Sequence, residues 1–167
     1  MNVPLINWIE VPHWGAGITG LFLCVATLYD LRSRQIPNGL IFSGLGFVLV
    51  LWWVSPSAIR EYLVAAVGLM VLGLFVRWLG HVMANQPGMG MGDVKLLVII
   101  GGLMGYEGYW LVYYAVLLAG LVGGIGLLTG KMERTYRLPF APFCLGGWFL
   151  ARLVLPFEVI WHLLFEN

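Results

Sequence analysis

The sequence is a succession of apolar runs, most of them near the length a helix needs to cross a bilayer, joined by short polar links. Backbone in lipid has no water to bond to, so such runs fold as helices that satisfy their own N–H and C=O groups. Of the 167 residues, 60% are hydrophobic and only 10% are charged. A soluble domain carries about 25% charged residues. The composition therefore predicts an all-α, polytopic membrane protein of about six transmembrane helices, with a single domain over residues 1–167. A net charge of +1 gives no basis for nucleic-acid binding, and membrane lipids are the expected surroundings.

The predicted spans are about Trp14–Tyr29, Gly39–Val54, Ala58–Leu79, Val94–Met104, Tyr109–Thr129 and Phe140–Leu155. Met1–Pro12 has no basic start and no small-residue cleavage site, so the first span is expected to stay in the mature protein. Phe157–Asn167 reads as an interfacial amphipathic helix. The fourth run is too short to cross alone. Either it extends through Tyr106-Glu107-Gly108-Tyr109, or it starts partway into the membrane inside a protein-lined cavity.

With the N-terminus outside, Arg32, Arg34, Arg77, Lys95, Lys131, Arg134 and Arg137 fall on the inner side and only Arg60 and Arg152 outside. That asymmetry follows the positive-inside rule and places both termini outside. The glycine pairs Gly101/Gly105, Gly120/Gly124 and Gly126/Gly130 are expected to let helices approach closely. Cys24 and Cys144 form no CxxC pair and read as small packing residues. His13, His81 and His162 show no metal spacing, so no metal site is expected.

Against this apolar background two aspartates stand out. Asp30 closes the first run, and Asp93 opens the fourth behind the alternating glycines of Gly88-Met89-Gly90-Met91-Gly92. An ionisable residue at such a place is a functional-site hypothesis by default. The topology puts both at the cytoplasmic face. Two carboxylates in a confined site cannot both ionise easily, so one keeps a proton. The ionised one can take a proton from water attacking a peptide carbonyl, and the protonated one can hydrogen-bond to the carbonyl oxygen. Gly90 and Gly92 would let an extended substrate lie close, and Lys95 would steer it or tune Asp93. Helix position favours Asp93 as the base, because it precedes a helix while Asp30 follows one. The plainer readings are a helix N-cap for Asp93, an interfacial acid paired with Arg32 or Arg34 for Asp30, and a snorkelling Lys95.

Three segments then carry a family resemblance. Gly90-Met91-Gly92-Asp93-Val94-Lys95-Leu96-Leu97 resembles the GxGD motif of the type IV prepilin peptidases. Asp30 with Ile36-Pro37-Asn38 resembles that family's first aspartate motif, and Leu138-Pro139-Phe140-Ala141-Pro142-Phe143 is similar to its proline-phenylalanine segment. The matches fall in family order along most of the chain.

The resemblance implies a membrane aspartic endopeptidase of the bacterial inner membrane. Its partner would be a type IV pilin-like precursor with a short basic leader and an apolar N-terminal helix, cut at the cytoplasmic face. Asp30 and Asp93 take the catalytic places, and Gly90, Gly92, Lys95, Pro37 and Asn38 are the expected substrate-binding residues. No cofactor is expected for proteolysis. Full-length members also carry an N-terminal cytoplasmic region with paired cysteines and methylate the new N-terminus with S-adenosylmethionine. This sequence has no such cysteine pairs and resembles the short forms, so S-adenosylmethionine is expected only if methyltransferase activity is retained. The alternatives are a small transporter or proton-conducting protein using the two aspartates as a relay, and a presenilin-like protease cutting within the bilayer.

Overall fold

The computed structural model describes residues 13–85, 88–130 and 138–153, which form six α-helices and one 3-10 turn with no strand among them. The helices are α1 (His13–Ser33), α2 (Asn38–Val54), α3 (Ile59–Ala84), α4 (Met91–Met104), α5 (Glu107–Leu128) and α6 (Ala141–Leu153), with the 3-10 turn Pro56–Ala58 leading into α3. The expected all-helical class is what forms. The expected tail helix, the segment Met1–Pro12 and the charged loop at 131–137 lie outside the described residues.

Backbone chemistry explains where the helices stop. α1 ends at Arg34, whose left-handed φ of 52° turns the chain while its N–H still donates to the Asp30 carbonyl at 2.9 Å. Pro37 then caps α2 in an extended conformation. Pro56 prevents α2 from running on into α3. Asn85, at φ 52°, ends α3. α4 ends at Gly105, whose φ of 58° and ψ of −136° are in practice open only to glycine.

Two boundaries differ from expectation in a way that matters. The first helix does not end before Asp30 but carries it in its last turn, because Leu31, Arg32 and Ser33 are all compatible with helix and no proline intervenes before Pro37. The third helix runs on to Ala84, taking in Gly80 and His81 beyond the expected end at Leu79. For the fourth run the turn at Gly105 closes one of the two courses: the helix does not continue through Tyr106–Tyr109. Its 14 residues rise about 21 Å, short of the roughly 30 Å of a hydrocarbon core.

α4 is the centre around which the others pack. Leu96, Leu97, Ile99, Ile100, Leu103 and Met104 are fully buried. They are surrounded by Phe22 and Leu23 of α1, Val48 and Leu51 of α2, Leu69 of α3 and Leu111 of α5. Gly101 allows the tightest approach: a Cβ there would lie 2.6 Å from the Ala66 backbone of α3. The expected close packing thus holds at Gly101. It does not hold at Gly120 and Gly124, which face open space. Trp52 of α2 donates its indole N–H to the Gly102 carbonyl at 3.1 Å. Cys144 is buried, while Cys24 is exposed and is not a core packing residue of this chain.

The outer surface is apolar. Leu63, Val64, Val67, Val71 and Phe75 on α3, and Tyr113, Val116, Leu117, Leu121 and Ile125 on α5, are all exposed. Ile59–Met83 and Glu107–Leu128 are long and apolar enough to cross a membrane. An apolar exterior of this extent suits lipid, not water.

Candidate active site

Five helix segments meet at one end of the bundle: the last turn of α1, the starts of α2, α4 and α6, and the Arg77 region of α3. Lys95 of α4 donates to the Asn38 side chain of α2 at 3.3 Å, and Arg77 of α3 donates to the Met89 carbonyl at 2.9 Å. At the opposite end Arg152 of α6 pairs with Glu107 of α5 at 3.0 Å. An open cavity of about 410 Å³, lined by Leu49, Trp52, Trp53, Pro56 and Ile59, also lies at that opposite end, and none of these lining residues is ionisable.

Asp30 is 5% exposed, and its Oδ2 accepts the Ala141 N–H, the first of α6, at 3.0 Å. The local sequence singles out that donor. The N–H groups of Phe143 and Cys144 are taken by the Phe140 carbonyl at 3.0 and 3.1 Å, and Pro142 has none. Ala141 is therefore the one backbone donor that the first turn of α6 turns towards the carboxylate. The carboxylate of Asp30 thus closes the N-terminus of α6, satisfying a backbone N–H that has no partner within the helix.

Asp93 occupies the third position of α4, behind Gly90 as N-cap. Its Oδ2 accepts the Gly90 N–H at 3.3 Å, the acidic half of a capping box whose other half glycine has no side chain to make. Asp93 lies ahead of the apolar run that begins at Val94 and outside Ile59–Met83 and Glu107–Leu128, the two helices long and apolar enough to cross a membrane. Burial pushes its carboxyl up to about 6, the negative charge of Asp30 pushes the same way, and the Gly90 N–H opposes both. The fold therefore brings Asp30 and Asp93 within electrostatic reach, and Cys144 of α6 feels the charge of each.

Asp30 lies in the last turn of α1, as expected of a residue near a helix C-terminus, but its carboxylate is also turned onto the start of α6. Asp93 does stand in a helix's first turn, but burial outweighs the single N–H it receives there.

The other expected residues sort themselves plainly. Lys95 and Asn38 are joined at an exposed surface, so neither is free of the fold. Pro37 caps α2 beside them. A Cβ on Gly90 would sit 3.0 Å from Asp93 Oδ2, whereas one on Gly92 would make only ordinary contact with Ile36 at 3.7 Å. His81 is exposed near the end of α3. Among the described residues no three His, Cys, Asp or Glu side chains gather as metal ligands do.

Sequence reasoning missed Ala141 and Arg77. The signal for the first was Pro142, which removes the neighbouring donor. The signal for the second was a lone arginine within an apolar run, which had been read only as one of the inner charges.

Comparison with known proteins follows the same segments. A family model described as the type IV leader peptidase family matches residues 17–128. The chain is similar to a prepilin leader peptidase/N-methyltransferase of Bacillus subtilis, 30% identical over 78% of this chain and 52% of that protein. It is also similar to the protein of that name from Xanthomonas campestris, 31% identical over 81% of this chain and 48% of that one. Another such protein, from Aeromonas hydrophila, is 31% identical over 82% and 49%. The chain spans about half the length of these curated relatives. No solved structure matches it.

Proposed function

The chain belongs to the type IV leader peptidase family, and from that premise we propose that it is a membrane aspartic endopeptidase removing the short basic leader from type IV pilin-like precursors. In this reading about six helices span the bacterial inner membrane, with the two aspartates at the cytoplasmic face. The observation that carries it is the pairing of Asp30, seated on the α6 N-terminus, with a partly buried Asp93 whose proton Asp30's charge helps retain.

The chemistry follows from that asymmetry. Ionised Asp30 takes a proton from water as its oxygen attacks the scissile carbonyl carbon. Asp93 gives its proton to the carbonyl oxygen, so no free oxyanion develops. On collapse Asp93 takes that proton back, the C–N bond breaks, and Asp30 delivers its proton to the departing amine. The pair ends as it began, with Asp30 ionised and Asp93 protonated. No cofactor enters this sequence.

The precursor's apolar helix would reach the site sideways from lipid, with its basic leader on the cytoplasmic side. Gly92 leaves room for extended backbone beside Asp93, and Lys95, Asn38 and Pro37 border that approach. The proposal is confined to proteolysis.

The test is co-reconstitution with a pilin-like precursor in lipid vesicles, followed by intact mass of the product. A precursor shortened by its leader is expected. An uncleaved precursor in every case, with the enzyme folded, would overturn the proposal. A further gain of one methyl group with S-adenosylmethionine present would add a second activity.

A further inference from the structure

Arg77 lies about two turns before the end of α3, in an otherwise apolar stretch. A cation there finds a polar partner as a rule, and here the partner is main chain: Nη1 donates to the Met89 carbonyl at 2.9 Å. That carbonyl belongs to the same planar peptide as the Gly90 N–H, which donates to Asp93 Oδ2 at 3.3 Å. One peptide group thus stands between the guanidinium and the carboxylate, accepting at one end and donating at the other. The backbone of Arg77 grips the same loop, its carbonyl accepting the Gly88 N–H at 3.4 Å. A Cβ on Gly88 would lie 2.5 Å from the Val76 carbonyl oxygen, so the loop lies close against α3.

We propose that Arg77 is a positioning residue for Asp93, acting through the Met89–Gly90 peptide to orient and polarise the N–H that holds the carboxylate. A cation on the carbonyl oxygen draws electron density along the amide and makes its N–H a stronger donor. A stronger donor favours ionised Asp93 and so opposes burial and the charge of Asp30. Among the described residues, other ionisable groups come from the neighbouring helices. Asp30 comes from α1 and Cys144 from α6, and Lys95 of α4 is turned to Asn38 of α2. The α5 acid, Glu107, is paired with Arg152 at the far end. In the proposed peptidase, on which this inference builds, the relay keeps Asp93's proton transferable.

The link is measurable without turnover, by infrared titration of the Asp93 carboxyl band in the full chain in lipid vesicles, with the band assigned by its loss in Asp93→Asn. Arg77→Gln should raise the Asp93 midpoint by about 0.5–1 pH unit. Gly90→Pro, which suits the Gly90 φ of −67° but deletes the N–H, should raise it as well. Adding Arg77→Gln to Gly90→Pro should then raise it no further, because the path is already cut. Arg77→Lys, which keeps a cationic donor, should give a smaller rise that also vanishes in the Gly90→Pro background, and it carries the test should Arg77→Gln fail to fold.

An unshifted midpoint in the Arg77 variants would overturn the relay. So would a shift that adds in full to that of Gly90→Pro, since it would mean charge acting through space. Cleavage lost in Arg77→Gln with the midpoint unmoved would make Arg77 structural and leave the carboxylate pair standing. The expected midpoints in a protein that cleaves nothing would keep the relay and remove the peptidase.

Discussion

The carboxylate of Asp30, in the last turn of α1, accepts the N–H of Ala141, 111 residues further along the chain, at 3.0 Å. This bond joins the first apolar helix to the last described one, and in the proposed reaction it holds the carboxylate that takes the proton from water. Ala141→Pro removes the donor at a helix position that tolerates proline. A hydrogen bond to a charged group is worth about 1.5–3 kcal/mol, so kcat should fall roughly 10- to 100-fold with KM little changed. Steady-state kinetics on the folded variant check this. An unaltered kcat would mean that the bond does not hold the reacting form.

The state of Asp93 sets the alkaline side of the pH profile. With its carboxyl at about 6, the free enzyme should lose kcat/KM as pH rises through that value. A bound precursor excludes water from Asp93, so the corresponding limb of kcat should lie higher. Removing the neighbouring charge acts in the opposite sense. In Asp30→Asn the Asp93 midpoint, read by infrared titration, should drop by about 0.5–1 unit. A midpoint that stays in place would contradict the electrostatic coupling of the two residues.

A raised carboxyl also has a stability signature. The folded value of about 6 exceeds the unfolded value near 3.8, so the native state binds the extra proton. Its contribution is complete below about pH 4 and is lost as pH rises through 6. Asp93→Asn has no such loss, and its amide oxygen can still accept the Gly90 N–H. The variant should therefore be more stable than wild type at pH 7, by up to about 3 kcal/mol, with the difference vanishing near pH 4. Equilibrium unfolding in detergent at the two pH values gives the answer.

Two glycines on either side of Gly90, Gly88 in the loop and Gly92 in the first turn of α4, should separate fold from function. Gly88→Ala should destabilise, since its Cβ would meet the Val76 carbonyl oxygen at 2.5 Å. Gly92→Ala meets only Ile36 at 3.7 Å and sits inside α4, where alanine is favoured by about 0.5–1 kcal/mol. If substrate backbone lies against Gly92, that variant should be at least as stable as wild type yet lose about tenfold or more in kcat/KM. Thermal unfolding alongside kinetics distinguishes the two. Full activity in Gly92→Ala would remove this residue from the substrate path.

Much of this arrangement was legible in the apolar runs, because helices in lipid must follow them, and the loop charges placed Asp30 and Asp93 at one end. What could not be read from side-chain chemistry is where a helix stops when no proline or glycine stops it. α1 passes its change of polarity at Asp30 and continues to Ser33, since backbone bonding does not end where the apolar surface does. The partner of Asp30 is a backbone N–H, which no residue type advertises, and Pro142 marks it only by lacking one. Arg77 was visible as a charge, but its bond to the Met89 carbonyl depends on how the loop at 88–90 lies along α3. For the fourth run the sequence left two courses open, and the left-handed turn at Gly105 closed one of them.

The most direct measurement is cleavage of a pilin-like precursor co-reconstituted with wild type, Asp30→Asn and Asp93→Asn, each verified as folded in the same vesicles. Wild type should release the shortened precursor, and each single variant should release none within the time of complete wild-type turnover. Substantial cleavage by either variant would contradict a shared-proton pair, because neither carboxyl group can then be indispensable to the reaction.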